Sequence, residues 1–209
     1  MNNFTRKEFL NIFKIIGALS LNTQAVNLAK AVPFNAQNKA QKLLIAARNQ
    51  IGITTLYDPN YSKIKYPMGD VPINIGVCTD VIIRAYRDAF GIDFQELIHK
   101  DMTNNFSKYP KIWGLKTTDR NIDHRRVPNI ATFLRRNNSS LPISQNANDF
   151  IAGNIITQDI LGRPHIGIIS DKFNLLKTRP LIIHNVGRGT QEEDFLFAYK
   201  ITGHYRFGL

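Results

Sequence analysis

The stretch "GVCTDVIIRAYRDAF", residues 76 to 90, holds Cys78, the one cysteine among 209 residues. A lone cysteine forms no intramolecular disulfide and leaves no CxxC pair for a structural zinc. Cys78 is therefore either a small buried hydrophobe or a reactive thiol. Thr79 and Asp80 suit the first turn of a helix, and Val81, Ile82, Ala85, Tyr86 and Ala89 recur at helical spacing up to Phe90, with Gly91 as the stop. A thiol at or near that helix's N-cap meets unpaired N–H groups and the positive end of the helix dipole, both of which favour thiolate. Such a nucleophile needs a base, usually a histidine held by a third polar group.

Five histidines are available: His99, His124, His165, His184 and His204. His99 falls near the end of a helix, as a solvated or capping residue. His124 belongs to a basic loop. Alternation places His204 with Lys200, Thr202 and Arg206 on one partly exposed strand face. His165 opens the strand signal "HIGIIS", and His184 closes "PLIIH". Joined as an antiparallel hairpin through a loop from about Asp171 to Arg179, the first residue of one strand lies beside the last of the other. One imidazole then takes the thiol proton while the other orients it. Two histidines and a carboxylate also make a zinc site in principle, but a neighbouring activated cysteine makes acid–base chemistry the simpler use, and no metal or cofactor is expected.

"NIDHRRVPN", residues 121 to 129, gathers Asp123, His124, Arg125 and Arg126 before a proline. Adjacent guanidiniums clamp carboxylates of peptides or anionic glycans. The alternative is that Asp123 pairs with an arginine and orders the loop.

The elements that must position these groups follow from periodicity. Residues 36 to 51 read as an amphipathic helix, and 52 to 76, rich in Gly, Pro, Asn and Tyr, as a long ordered loop of the kind that lines sites. "IDFQELIHKDMTNNF" and "NIATFLRRNNSS" read as helices around a basic loop. Beyond Pro142, "NIITQ", "HIGIIS", "PLIIHNV", "LFAYKI" and "HYRF" read as short strands. Helices first and strands later predict an α+β fold in one domain, residues 32 to 209.

The formal charge of +11 favours anionic partners. Residues 1 to 31 carry Arg6 and Lys7, an apolar run from Phe9 to Leu21 and Ala29-Lys30-Ala31, the order of an export signal. "TRKEFL" resembles a twin-arginine signal with Lys7 in place of an arginine, so the route is of Sec or twin-arginine-like type. The run is too short and polar for a membrane span. Export to the periplasm and the lack of a nucleic-acid motif point away from nucleic acid.

The order "GVCTDVIIRAY", "GNIIT", "PHIGIIS", "LIIHN" resembles the NlpC-type hydrolases, papain-like cysteine peptidases that cut bacterial wall peptides. The segment from about 40 to 207, with "DHRRVPN" and "GHYRF", is more closely similar to an uncharacterised bacterial branch of that superfamily. The resemblance implies a papain-like fold with N-terminal helices on a C-terminal antiparallel sheet. It implies Cys78 as nucleophile, His165 as general base and His184 as orienting residue, with Asn185 an alternative third group. The backbone N–H of Cys78 is the expected oxyanion donor, with Tyr66 or Asp70 supplying the neighbourhood of a second, and Asp80 is a secondary site candidate. This chain departs from the family's "DCSG" with "VCTD", has Asn154 where the family's strand entry has aspartate, and has a longer loop between its two histidines.

The expected activity is hydrolysis of an amide through a Cys78 thioester, with peptidoglycan stem peptides or another anionic envelope polymer as partner. Two alternatives stand beside it: an acyltransferase or transamidase on the same fold, and a non-catalytic basic module that docks anionic polymers.

Overall fold

The computed structural model describes residues 34 to 209. The segment read as an export signal, residues 1 to 31, lies outside them. The described chain is α+β, as its order of helical and β-branched segments predicts. Helix α1 spans Phe34–Arg48, α2 Cys78–Phe90, α3 Phe94–Asn105 and α4 Val127–Arg136. The strands are β1 (Leu56–Tyr57), β2 (Ile75–Gly76), β3 (Ile155–Ile160), β4 (Arg163–Phe173), β5 (Pro180–Asn185), β6 (Thr190–Glu193) and β7 (Lys200–Tyr205).

The last five strands form one antiparallel sheet in the order β6-β5-β4-β3-β7. Its two faces are both covered. Ile155, Ile166, Ile168 and Ile183 pack with Leu43 and Leu44 of α1 and Val81, Ile82 and Tyr86 of α2. Ile156, Ile169 and Ile182 point the other way, into a smaller cluster with Phe150, Leu196 and Ile201. Period-two alternation along strands covered on both faces gives the nearly continuous apolar runs seen in the sequence.

Helix α2 carries Cys78 and is therefore the element whose placement matters most. Its N-cap is Val77, so Cys78 is the first helical residue. Valine has no side-chain acceptor to offer as a cap. Asp80 compensates from the third helical position, its carboxylate accepting the Val77 backbone N–H at 2.7 Å. At the other end Gly91 adopts φ 68°, and its N–H reaches the Arg87 carbonyl at 2.8 Å, the left-handed ending that glycine permits.

The long loop before α2 is held from within by a buried arginine. Arg84 makes a two-bond pair with Asp70 at 2.9 and 3.0 Å and also donates to Thr54 Oγ1 and the carbonyls of Val71 and Ile75. The loop contains one pair of strands that periodicity does not reveal: β1 and β2 run parallel, with Tyr57 opposite Gly76. Two residues per strand are too few to show alternation.

Three features differ from the sequence expectation. "LFAYKI" does not form a strand along its length, because β7 starts only at Lys200. β6 was not expected at all, since "TQEE" is a polar edge strand without an apolar face. His204 is buried, with Nε2 2.7 Å from Asn154 Nδ2 and Nδ1 3.0 Å from the Pro142 carbonyl. The β3–β7 pairing shifts register between Thr157 and Gln158, which breaks the simple alternation on which an exposed His204 depended.

Candidate active site

The β4–β5 hairpin forms as expected, antiparallel, with Ile168 opposite Ile183. His165 is the third residue of β4, not its first, so it lies diagonal to His184 across the pair. Gly167 makes the diagonal contact possible. A Cβ there would sit 2.5 Å from the Ile182 side chain and 3.2 Å from the Cβ of His184. With that space left open, Nε2 of His165 stands 2.7 Å from Nδ1 of His184. The glycine of "HIG" is thus a packing requirement of the histidine pair.

A carboxylate completes the row. Nε2 of His184 lies 3.1 Å from Oε1 of Glu193 on β6, whose other oxygen meets Arg188 at 3.1 Å. Glu193 was not legible in the sequence because its strand has no hydrophobic pattern. Burial pushes His165 down to about 3 and His184 down to about 4, with positive charge on His184 and Arg188, respectively, adding to the effect. Both rings are therefore neutral at pH 7, with one N–H each. The carboxylate of Glu193 accepts, so His184 carries its proton on Nε2. Its bare Nδ1 then accepts from Nε2–H of His165. The bare lone pair of His165 is left on Nδ1, the atom a general base needs.

Cys78 approaches β4 from the helix side, in the cluster of Ile166, Ile168 and Ile183, whereas the two rings lie on the other face of the sheet with Ile182 and Phe195, and among the described residues no hydrogen bond joins the sulfur to either ring. Its sulfur takes the backbone N–H of Ile166, the residue that follows His165, together with the N–H groups of Thr79 and Cys78 itself. These lower the thiol's pKa, but burial outweighs them, and with the charge of Asp80 pushes it up to about 12. At rest the thiol and the imidazoles are thus all neutral. The expectation that the helix start alone yields a thiolate is overturned by desolvation.

Cys78 nevertheless borders a cleft, with almost all of its surface covered. It is 5% exposed and lines a cleft of about 430 Å³ with Tyr57, Tyr61, Trp113, Arg126 and Pro164 among the walls. His165 and His184 do not line the cleft; they pack against Phe195 on the sheet face that carries Ile182, so the expected direct approach of an imidazole to the thiol is not seen. Tyr57 is a site residue that the sequence did not single out. Burial and the neighbouring Cys78 push its hydroxyl up to about 12, so it remains an O–H donor at neutral pH.

Residues 44 to 207 match a family described as "Domain of unknown function (DUF1287)". The chain belongs to this family. A DUF1287 relative, the uncharacterized protein YijF of Escherichia coli (strain K12), is 51% identical over 162 residues, which cover 77% of this chain and 78% of that one. No solved structure matches the chain.

Several expected site residues of this DUF1287 domain have structural duties. Asn185 does not touch His165; its Nδ2 donates to the Gly76 carbonyl at 3.2 Å and ties β5 to the residues before Cys78. Asp70 is paired with Arg84, and Tyr66 packs edge-on to His99, so neither lines the cleft. His99 is accordingly half-buried against Tyr66 in mid-helix, not a solvated or capping group. Asp80 pairs with Arg125 through two bonds of 3.0 and 2.9 Å, both side chains buried. His124 is buried in a short 3-10 turn away from the cleft, and burial pushes it down to about 3. Asp123 accepts the backbone N–H of Asp119 and organises its loop, and burial pushes it up to about 6. Arg125 and Arg126 both reach the cleft wall, but Arg125 is committed to Asp80.

Proposed function

We propose that the protein is an exported cysteine hydrolase of papain-like, NlpC-type fold that cleaves an amide bond in peptidoglycan stem peptides. The observation that carries this reading is Cys78 at the first position of α2 on the wall of the cleft, one strand residue away from His165, whose Nε2 stands 2.7 Å from His184 Nδ1. The resemblance of the Cys78, His165 and His184 motifs to wall-cleaving peptidases supports the substrate class. The charge of +11 suits an anionic envelope polymer and action in the periplasm.

In the reaction, Nδ1 of His165 takes the thiol proton as Sγ attacks the amide carbon. The neutral resting pair makes this a concerted step. The oxyanion meets the backbone N–H of Cys78, which has no intrahelical partner and turns to it from the sulfur, and the hydroxyl of Tyr57. His165 then gives its proton to the leaving amine, and a thioester remains. Water attacks the thioester, losing its proton to His165 and restoring the thiol as the acid departs. The sum is amide plus water to acid plus amine.

The burial of Cys78 and its raised pKa favour a second reading, in which the thiol is a core residue and the cleft only binds. Digestion of purified wall separates the two. The wild type should release soluble amines that Cys78→Ser does not; equal release from both proteins would overturn the hydrolase reading.

A further inference from the structure

Two neighbouring arginines reach the cleft and differ in one respect. The guanidinium of Arg125 is neutralised by Asp80 at 2.9 Å. That of Arg126 has no such partner. The carboxylate that faces it, Asp123, is 3.8 Å away, beyond hydrogen-bond reach, and both Nη1 of Arg126 and Oδ1 of Asp123 are buried without a hydrogen bond among the described residues. Asp123 thus acts on Arg126 only as a charge at a distance, without a hydrogen bond between them. The Arg126 side chain is only 17% exposed, and its Cζ lies over the Trp113 ring, 4.2 Å from the centroid. This cation–π contact anchors the guanidinium at the cleft wall.

The rest of the cleft has the same bias. Its lining includes the two arginines and the aromatic rings of Tyr57, Tyr61 and Trp113, and no carboxylate. A partly buried cation without a hydrogen-bonded counter-ion is unfavourable in the empty protein and becomes favourable when an anion fills the gap.

We propose that Arg126, anchored over Trp113, is the specificity residue for a free carboxylate on the substrate, so that the cleft takes acidic peptides and rejects the same peptides with that group blocked. This deepens the hydrolase reading and rests on its substrate class, though the docking itself needs no reaction.

Trp113 is the sole tryptophan of the chain, so its fluorescence reports on this wall directly. The test uses the full chain carrying Cys78→Ala, which cannot turn over. The probe is the soluble peptide mixture released from bacterial wall by a muramidase, used with its carboxylates free or capped as methylamides. Free peptides should change Trp113 fluorescence saturably, and capping should weaken binding at least tenfold. Arg126→Gln should weaken the free peptides by a similar factor and remove the difference between free and capped, while Arg126→Lys restores part of it. Equal binding of free and capped peptides, undiminished binding by Arg126→Gln, or no saturable change would each overturn the proposal. Should Arg126→Gln misfold, the free-versus-capped comparison in the parent decides alone. Carboxylate-dependent binding without wall cleavage by the wild type leaves the subsite standing and removes the hydrolase; cleavage without carboxylate dependence does the reverse.

Discussion

The Nε2 atom of His165 stands 2.7 Å from Nδ1 of His184, and the far nitrogen of His184 stands 3.1 Å from Glu193. Because a carboxylate only accepts, one residue at the end of the row sets the proton positions of both rings. Replacement of Glu193 should therefore act at a distance from the thiol.

Glu193→Gln keeps the shape and lets the end group donate as well as accept, so both tautomers of His184 become available. Loss of a charged hydrogen bond of about 1.5–3 kcal/mol predicts a fall of about 10- to 100-fold in kcat with KM little changed. Steady-state kinetics on released wall amines checks this. A purely structural Glu193 would lower thermal stability and leave kcat per folded molecule unaltered.

Alkylation of Cys78 probes the thiol directly. With its pKa pushed up to about 12, reaction with iodoacetamide at pH 7.5 should be slower than for a free cysteine, and it should depend on His165 as base. His165→Ala should slow it further. Mass spectrometry of the labelled chain over time gives both rates, and equal rates would show that the imbalance of protons between ring and thiol plays no part.

The Asp80–Arg125 pair is buried on both sides and supports the turn that presents Cys78. Removing one partner leaves the other as an uncompensated buried charge. Arg125→Ala should thus cost about 3–5 kcal/mol of stability, visible as a lowered denaturant midpoint. A loss of substrate binding with unchanged stability would instead place Arg125 among the ligand-binding groups.

Acid should destabilise the fold before ordinary carboxylate titration begins. His124, His165 and His184 are held neutral by burial, at about 3, 3 and 4. Between those values and the unfolded value of about 6.5, the unfolded chain binds more protons, so stability is full above about pH 6.5 and falls as pH drops through this window. Each histidine contributes a slope of up to about 1.4 kcal/mol per pH unit. Asp123, raised to about 6, works in the opposite sense and offsets one of them between about pH 4 and 6. Urea midpoints should be level from pH 8 to about 6.5 and fall from there to pH 4, and His124→Asn should flatten the fall without touching the cleft.

Much of this arrangement was legible in residue order. Helical spacing from Val81 to Ala89 and the glycine at 91 defined α2, and the β-branched runs around His165 and His184 defined the hairpin, because each depends on local periodicity and backbone preference. What escaped were groups whose partners are remote in the chain or whose strands are too short or too polar to alternate. Tyr57 comes to the thiol only through a two-residue parallel pair, and Glu193 comes to His184 only through an edge strand.

The residue types and their order alone determined that this protein carries one thiol at a helix start and two imidazoles on adjoining strands. Only the tertiary structure decided their protonation and the division of labour between two adjacent arginines. Burial raised the thiol and lowered the rings, and it gave Arg125 a hydrogen-bonded counter-ion while leaving Arg126 with a carboxylate 3.8 Å away and no hydrogen bond to it. Local sequence sets where a side chain can point, whereas desolvation and pairing depend on everything packed around it, which no window of sequence contains.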